Sequence, residues 1–351
     1  MENVTFEAVR KGGHKQWRAL LPLWLDFCAE LGTESEITPA RDLKRRVNIQ
    51  GSRPDMHFDI LRVGKRKSPI GFAHYAVDKG TVGGLIDPDG GVFLAYYIVP
   101  EYRRKGYGRR MFLHCAETLY RDGAAYLYCC PDPVTGEPFW RAMGFADSGV
   151  MDPDEHLPIY TKPRPDPASI VCRAMCVEDL HPHMMDAFER YQEITREYRK
   201  RRLGRGWRIV KLRKPRTEEN WPAKGKTRLI RNFFLDGVYF RRHYPGEPLV
   251  FAAFLGGRMV GFAIWDHYWG EEKGYAILLR LFVSLECRRM GLGRQLFALC
   301  AEAARAEGAQ KLFISAEPAV ETQEFYRSIS CTIAKKRIYG NKKDVPLEYR
   351  L

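Results

Sequence analysis

The pattern of apolar and polar positions predicts a series of helices and strands in the first half of this chain. Residues 4–9 form a short predicted strand. The apolar residues that follow repeat as on one face of an amphipathic helix: Trp17, Leu20, Leu21, Trp24, Cys28 and Leu31. Two hairpin strands come next, at residues 57–63 and 70–77. The pattern then predicts a buried strand at 92–99, a helix, a strand at 125–129, a short helix and a closing β segment.

The second half predicts the same elements in the same order. Its strands are expected at residues 169–173, 249–254, 259–265, 276–283 and 311–315. A less regular amphipathic helix is expected after the first of these strands, from the spacing of Met184, Phe188, Tyr191 and Tyr198. Each half is therefore predicted to be an α+β unit, in which helices flank a mixed and mostly antiparallel sheet.

One stretch of sequence occurs in both halves. Residues 101–117 read EYRRKGYGRRMFLHCAE, and residues 286–302, at an offset of 185, read ECRRMGLGRQLFALCAE. Ten of these 17 positions are identical without a gap, and they include glycine, arginine and cysteine together. Shared helix composition does not explain such a match, so the chain is a tandem duplication. The stretch TKPRPDP at 161–167 predicts a linker, and we place the domains at residues 1–165 and 168–351.

Composition excludes several classes of protein. The 351 residues are 45% hydrophobic and 28% charged, as in globular proteins and unlike disordered or collagen-like chains. The first residues have no apolar core of a signal peptide, and no stretch is apolar for long enough to span a membrane. The nine cysteines include no CxxC pair, which indicates neither a disulfide framework nor a zinc site. We therefore expect a cytoplasmic protein with no metal and no membrane partner.

The net charge of +14 lies almost entirely in the second half. Residues 1–167 carry a net charge of +1, and residues 168–351 carry +13. Residues 196–216, the basic segment, contain eleven basic residues and one acidic residue. One interpretation is a surface for an acidic acceptor or a nucleic acid, with Trp207 and Trp221 available for stacking. The other, which we favour, is a solvated helix end and loop, because runs of charge are usually solvated.

Two loops rich in arginine and glycine occupy equivalent places in the halves. Residues 103–108 (RRKGYG) and 288–293 (RRMGLG) each follow a predicted strand and precede a predicted helix. Glycine lets backbone N–H groups approach an anion, the helix N-terminus adds partial positive charge, and the basic side chains add full charges. This arrangement suits a pyrophosphate. It is neither a P-loop nor a GxGxxG fingerprint, and its presence in two copies strengthens the interpretation.

These features resemble the GNAT superfamily of N-acetyltransferases, arranged here as two tandem GNAT-like domains. The family signature is a strand, RxxGxG, a helix, a strand and an F-Y-x-x-x-G-F segment, and it covers about residues 90–145 and 275–331. The resemblance implies acetyl-CoA, or another acyl-CoA, as cosubstrate. It implies that the loop binds the CoA pyrophosphate and that the preceding strand pairs with the pantetheine arm where two strands part. The implied residues are Ile98, Arg103, Arg104, Lys105, Gly106, Tyr107, Gly108 and Arg109 in the first half, and Val283, Arg288, Arg289, Met290, Gly291, Leu292, Gly293 and Arg294 in the second.

The downstream aromatic segment differs between the halves. Residues 139–145 read FWRAMGF, and residues 325–331 read FYRSISC. In the family a tyrosine at this place often protonates the departing CoA thiolate, and a phenol can donate that proton whereas an indole cannot at neutral pH. We therefore expect Tyr326 to be catalytic and Trp140 not to be; the alternative for Tyr326 is a core aromatic. Ser330 replaces the glycine of the motif, so the local turn is in question.

The sequence does not single out a general base or an acceptor. Asp266, His267 and Glu317 are more typical of surface residues, and His74 of a hydrogen-bonded histidine in a sheet. We favour an N-acetyltransferase that acts on a primary amine of a small molecule or peptide. An acyltransferase that draws on aminoacyl-tRNA and a non-catalytic CoA-sensing or RNA-binding module are the alternatives. Two intact pyrophosphate loops argue against the tRNA-dependent enzyme, since its donor carries no CoA.

Overall fold

The chain divides into two compact units, Met1–Arg164 and Pro165–Leu351. The computed structural model describes residues 4–9, 13–32, 37–50, 53–79, 88–153, 156–175, 179, 181, 183–201, 206–221, 249–268 and 271–351. Residues 202–205 of the basic segment lie outside the described residues. Among the described residues, each unit contains one seven-stranded sheet with helices packed against it.

The first unit begins with a strand and places two helices before its hairpin. Its strands are β1 Val4–Ala8, β2 Met56–Val63, β3 Ser68–Val77, β4 Gly90–Ile98, β5 Tyr126–Cys129, β6 Ala146–Met151 and β7 Pro158–Pro163. Its helices are α1 His14–Leu31, α2 Pro39–Gln50, α3 Tyr107–Arg121 and α4 Gly136–Ala142. The strand order across the sheet is β1-β2-β3-β4-β5-β7-β6. The described pairs are antiparallel except β4–β5, which is parallel.

The second unit repeats this topology. Its strands are β8 Ile170–Ala174, β9 Gln192–Lys200, β10 Trp207–Glu218, β11 Leu249–Leu255, β12 Arg258–His267, β13 Tyr275–Val283, β14 Lys311–Ala316, β15 Thr332–Ile333 and β16 Val345–Arg350. Its described helices are α5 Leu292–Ala306 and α6 Val320–Ser328. The sheet order is β8-β11-β12-β13-β14-β16-β15, and the parallel pair is β13–β14. The predicted fold, a mixed and mostly antiparallel sheet in each half, is confirmed.

Apolar side chains cover both faces of each sheet. In the first unit α1 and α2 pack on one face through residues at helical spacing: Leu20, Leu23, Trp24, Leu43 and Val47. In the second unit α5 packs on one face of its sheet through Leu292, Leu296, Phe297, Cys300 and Ala304, and a separate cluster that includes Phe188 and Phe262 covers the other face. Successive side chains of a strand point to opposite faces of the sheet. The position of a residue along β4 or β13 therefore shows which face, and which helices, its side chain packs against.

The prediction of a helix after β8 is wrong. Met184 and Phe188 are buried against the sheet, as their spacing predicted, but they lie in turns and irregular chain. Tyr191 lies just before β9, and Tyr198 lies within it. Ile194 and Tyr198 are both buried, which agrees with the alternation of a strand as well as with the spacing of a helix. Pairing with β10 decides between the two, because it satisfies the backbone groups of this segment.

The basic segment is a β-ribbon, so the expectation of a helix end and loop is also wrong. β9 and β10 form a separate antiparallel pair, in which β10 has three more residues than β9 between Lys211 and Arg216. The two tryptophans expected to be available for stacking are packed inward. Trp207 contacts the core on the α5 face, and Trp221 packs on the ring of Phe262.

Helix α2 of the first unit has no counterpart among the predicted elements. Its sequence, PARDLKRRVNIQ, is mostly polar, and its described side chains bury only Leu43 and Val47, four positions apart. Two apolar positions on one face are too few to stand out as a helical period. Packing against α1 and the sheet supplies the stability that the sequence pattern does not show.

We expect Gly71→Ala to destabilise the first unit by about 1–3 kcal/mol. A Cβ there would lie 2.4 Å from the carbonyl oxygen of Tyr97 and 2.7 Å from Cδ1 of Ile98, so the backbone of β4 would have to move. Gly261→Ala, the equivalent change in β12, is the matched control because its nearest neighbour is the flexible tip of Leu296, at 3.0 Å. Chemical unfolding measures both; a larger loss for Gly261→Ala would contradict this reasoning.

Candidate active site

The two parallel strands of each sheet separate partway along their length. β4 and β5 are paired from Gly90 to Phe93, whereas β4 continues to Ile98 in register with β3. β13 and β14 are paired from Tyr275 to Leu278, and β13 continues to Val283 in register with β12. Beyond these points, one edge of β4 and of β13 has no partner from the adjacent strand. Each unit therefore has a wedge-shaped cleft that opens toward the C-terminal end of its central strand.

A β-bulge marks the level at which the strands separate. In β4, His74 and Tyr75 of the neighbouring strand face Ala95 and Phe93, so Leu94 is the extra residue. In β13 the extra residue is Leu279, at the same offset of 185 as the sequence repeat. A bulge bends its strand and re-aims its backbone groups. Both copies therefore keep the same strand irregularity at the closed end of the cleft.

The glycine loops lie at the open end of these clefts. Gly106 and Gly291 precede the first helical residue with φ of +84° and +82°, and no described side chain caps either helix. Arg104 and Arg289 are also left-handed, with φ of +60° and +61°. Apart from the adjoining chain, no described residue lies within 4 Å of the position a Cβ would take on Gly106 or Gly291. This leaves room beside the first turn of each helix, as an anion bound at a helix N-terminus requires.

The first arginine of each loop holds the loop in place. Arg103 donates from Nε to the carbonyl of Ile98, at 2.7 Å, and makes a two-point ion pair with Glu30 of α1, at 2.7 and 2.6 Å. Arg288 donates to the carbonyls of Val283, Tyr191 and Arg190, at 3.1, 2.7 and 2.9 Å. In the first unit this guanidinium group joins the end of β4 to α1. In the second unit it joins the end of β13 to the residues just before β9. Their predicted direct contact with a pyrophosphate stays untested.

The remaining predicted loop residues fall into two groups. Four arginines and a lysine have exposed side chains around the helix start, where they can face an anion: Arg104, Lys105, Arg109, Arg289 and Arg294. Three apolar side chains anchor the loops: Tyr107 and Leu292 are buried, and Met290 packs against the α5-side core. The structure therefore separates charged residues that can reach a ligand from residues that fix the loop.

The second glycine of each loop links it to the downstream aromatic segment. A Cβ on Gly108 would lie 3.1 Å from the ring of Phe139, and a Cβ on Gly293 would lie 3.2 Å from the ring of Phe325. Larger side chains would displace α4 or α6 from the helix start. The two motifs, far apart in sequence, are thus one packing unit, and the phenylalanine positions the aromatic residue that follows it.

Tyr326 is buried at this position in the second unit. It is 7% exposed in the core on the α5 side, and burial raises the pKa of its phenol. The turn that the glycine-to-serine change had put in question is kept. Ser330 takes the left-handed conformation (φ +69°) that Gly144 takes in the first unit (φ +90°). The amide of Cys331 donates to the carbonyl of Tyr326 at 3.0 Å.

The same position in the first unit lies in a cluster of aromatic rings. Trp140 is 5% exposed, and its ring centroid lies 4.7 Å from that of Phe93 and 5.2 Å from that of Tyr96. The hydroxyl of Tyr96 donates to the carbonyl of Gly108 at 2.5 Å. Leu278 and Leu281 replace these two rings at the same offset in the second unit. The first cleft is therefore lined by aromatic rings where the second has smaller aliphatic chains and a phenol.

Asp266 is a buried carboxyl group, which sequence reasoning missed when it treated this residue as a surface residue. It is 3% exposed; one carboxylate oxygen accepts the amide of His267 at 2.7 Å, and the other has no hydrogen-bond partner among the described residues. Burial raises its pKa. It faces Ile277 across the β12–β13 ladder, two residues before the bulge at Leu279. By parity it shares the face of Ile264, opposite to α5.

The other candidate bases are placed differently. Glu317 makes an ion pair with Arg216, and His267 packs edge-on to Trp265. His74 is buried, but neither ring nitrogen has a hydrogen-bond partner in the part of the chain that the structure describes, so the expectation of a hydrogen-bonded histidine is wrong. Burial lowers its pKa to about 3, with smaller contributions from the charges of Arg46 and His57. A neutral imidazole with so low a pKa is a poor proton acceptor at neutral pH.

Comparison with known families agrees with this architecture. The acetyltransferase (GNAT) family matches the chain twice, over residues 19–145 and 207–329. These matches cover more than half of the chain, so the protein belongs to the acetyltransferase (GNAT) family and is an acyltransferase. The tandem arrangement suggested by the repeat is thereby confirmed. No curated protein matches the chain by sequence.

Several solved structures resemble about half of the chain. Nourseothricin acetyltransferase has 17% identity and a TM-score of 0.36, covering 51% of this chain and 96% of its own. An acetyltransferase from Thermus thermophilus has 20% identity and a TM-score of 0.36, covering 46% and 99%. The PaiA N-acetyltransferase from Thermoplasma acidophilum, solved with coenzyme A, has 18% identity and a TM-score of 0.34, covering 46% and 99%.

Among the described residues, no helix is long and apolar enough to pass through a bilayer.

We expect His74→Ile, which introduces the residue of the second copy, to make the first unit less sensitive to acid. Between pH 6.5, the ordinary pKa, and about 3, the unfolded chain binds a proton that the folded chain excludes, so His74 lowers stability as pH falls. The difference in unfolding free energy between variant and wild type should grow by about 1.4 kcal/mol per pH unit below 6. Urea unfolding across this range measures it; a constant difference would contradict the burial of a neutral imidazole.

Proposed function

We propose that this protein transfers an acetyl group from acetyl-CoA to a primary amine and that the second unit is the catalytic copy. One observation carries the proposal: the second unit buries a phenol and a carboxyl group, and the carboxyl group lies next to the last residues at which β13 and β14 are paired. Tyr326 lies on the α5 side of the sheet, and Asp266 lies on the opposite face beside the bulge of β13. Their equivalents in the first unit are Trp140 and Ala76, which can do neither task.

The residues present fit a CoA molecule in both clefts. The pantetheine arm carries amide groups, and the unpaired edges of β4 beyond Phe93 and of β13 beyond Leu278 offer backbone partners for them. The open helix starts at Gly106 and Gly291 suit the pyrophosphate. Ile98 and Val283 end the two unpaired edges and come closest to the loops. CoA supplies the activated acetyl group, and the protein supplies position and proton transfer.

Proton transfers at the nitrogen and at the sulfur accompany acetyl transfer. Asp266 takes a proton from the acceptor ammonium, and its raised pKa makes it a better base than an exposed carboxylate. The amine nitrogen then bonds to the acetyl carbonyl carbon as the carbon–sulfur bond breaks. Tyr326 gives its proton to the departing sulfur, and the second proton that the nitrogen loses as it becomes an amide restores the phenol. Burial raises the pKa of this phenol, so the proton is present at neutral pH. The products are an amide and free CoA.

The first unit has the cleft and the loop without these two groups. Its aromatic cluster packs Phe93, Tyr96 and Trp140 together at the level where β4 and β5 separate. We assign it a structural or CoA-binding role. A donor such as aminoacyl-tRNA would leave two open glycine loops and two separated strand pairs without a ligand, which supports an acyl-CoA donor for the chain.

Tyr326→Phe should lower kcat by on the order of 100-fold, because it removes the proton donor to the leaving sulfur. The affinity for acetyl-CoA, measured by isothermal titration, should stay within about twofold, since a phenyl ring fills the same space. Trp140→Phe is the matched control in the first unit and should leave kcat unchanged. Release of CoA thiol measures turnover; full activity of Tyr326→Phe would refute the assignment.

Asp266→Asn should lower kcat/KM by on the order of 100-fold and remove the rise of activity with pH that an ionising base produces. The carboxyl group must be deprotonated to act, so wild-type activity should increase through its raised pKa. Asp266→Glu should retain part of the activity and its pH dependence. Unfolding should show no loss of stability in Asp266→Asn, because an amide is cheaper to bury than a carboxylate. An unchanged pH profile would exclude Asp266 as the base.

A further inference from the structure

The β9–β10 ribbon borders the cleft of the second unit. On one side, the chain just before β9 is tied to the end of β13: the amide of Leu285 donates to the carbonyl of Glu189 at 2.9 Å, and the hydroxyl of Ser284 accepts the amide of Glu189 at 3.0 Å. Arg288 holds the next two carbonyls. This segment therefore starts at the open end of the unpaired strand edge.

On the other side, the ribbon is tied to the helix that carries Tyr326. The amide of Tyr198 donates to the carbonyl of Pro318 at 2.7 Å, and Glu197 forms a β-bridge with Ala319, just before α6. Arg327 donates to the hydroxyl of Tyr198 at 2.6 Å. The segment from Glu189 to Tyr198 thus runs from the end of β13 to the residues that follow β14 and crosses the mouth of the cleft. An acceptor that enters there meets the ribbon.

The ribbon places like charges directly opposite each other. Arg199 faces Arg208, and Arg196 faces Lys211, in the β9–β10 ladder. Directly opposed like charges destabilise a strand pair. Within the described part of the ribbon, seven exposed basic side chains have no carboxylate in ion-pair distance: Arg196, Lys200, Arg201, Arg208, Lys211, Arg213 and Lys214. A run of charge that only contacts solvent does not require like charges to face each other across a strand pair. An anionic partner would offset the repulsion between them.

We propose that the acceptor amine is carried by an acidic peptide segment that binds along this ribbon. The inference rests on the proposed acetyl transfer and names the substrate class of the same site. Among the described residues, no partner strand pairs with the outer edge of β10, so an extended peptide can add a strand there. Ile209, which is 51% exposed, offers an apolar contact amid the basic side chains.

Single-stranded nucleic acid fits this surface less well. Such ligands need exposed aromatic rings on which bases stack, as well as positive charge. In the described ribbon, Tyr198 is buried and Trp207 packs against the core. Trp221 stacks beneath the guanidinium of Arg190, whose carbon lies 5.0 Å from the ring centroid. The surface offers charge, an apolar side chain and a strand edge, which together favour a peptide.

The test uses two fluorescently labelled peptides of equal length, each with one lysine that is flanked either by glutamates or by glutamines. Fluorescence anisotropy measures the affinity of the full chain for each peptide. At low salt the glutamate peptide should bind about tenfold more tightly, and added salt should reduce the difference. The double variant Arg208→Glu/Lys211→Glu should lose this preference. Arg213→Glu/Lys214→Glu, in the bulge of β10, provides a second pair should the first fail to fold. Arg41→Glu/Lys44→Glu on α2, an equal charge reversal on exposed side chains, should retain it.

Four outcomes separate the possibilities. Equal binding of the two peptides overturns the proposal, and so does a single-stranded RNA oligomer of matched charge that binds more tightly than the glutamate peptide. If the glutamate peptide binds preferentially but isothermal titration shows no acetyl-CoA binding, the proposed acetyl transfer fails while the acidic-peptide surface stands. If both bind, mass spectrometry should show acetylation of the glutamate peptide with about tenfold higher kcat/KM than of the glutamine peptide.

Discussion

The separation of two parallel strands is the constraint on which the rest of each unit depends. Backbone groups in the middle of a sheet must be paired, and pairing on one edge stops at Phe93 in β4 and at Leu278 in β13. The bulge that follows each of these residues bends the strand away from its neighbour. A strand edge left open inside a sheet is then available to a ligand that carries its own amides, and the glycine loop lies where that ligand ends.

Duplication let the two clefts keep this geometry while their chemistry diverged. Each copy retains the bulge, the left-handed glycine, and the close contact between the second glycine and a phenylalanine. Side chains at equivalent positions differ, with Trp140 and Ala76 in one copy and Tyr326 and Asp266 in the other. Backbone geometry is costly to alter because many residues determine it together, whereas one side chain in a cleft can be exchanged alone.

Sequence reasoning succeeded where a pattern was local and failed where it was ambiguous. The strand, loop and helix around Gly106 and Gly291 could be predicted because glycine and arginine at fixed spacing have few structural explanations. The segment with Phe188, Ile194 and Tyr198 was mispredicted because its spacing satisfies both a helix and a strand. Asp266 was misjudged because a charged residue at the end of a strand is usually exposed, and burial depends on the layer that covers it.

The sequence by itself determined the duplicated fold, the position of both glycine loops, and the loss of a phenol from the first copy, since each is written in residue types at fixed spacing. Only the tertiary structure decided that the basic segment pairs as a ribbon across one cleft, that Ser330 keeps the turn of a glycine, and that a carboxyl group is buried beside the bulge. The physical reason is that pairing and burial are properties of neighbours distant in sequence, and a residue's own type does not specify what will cover it.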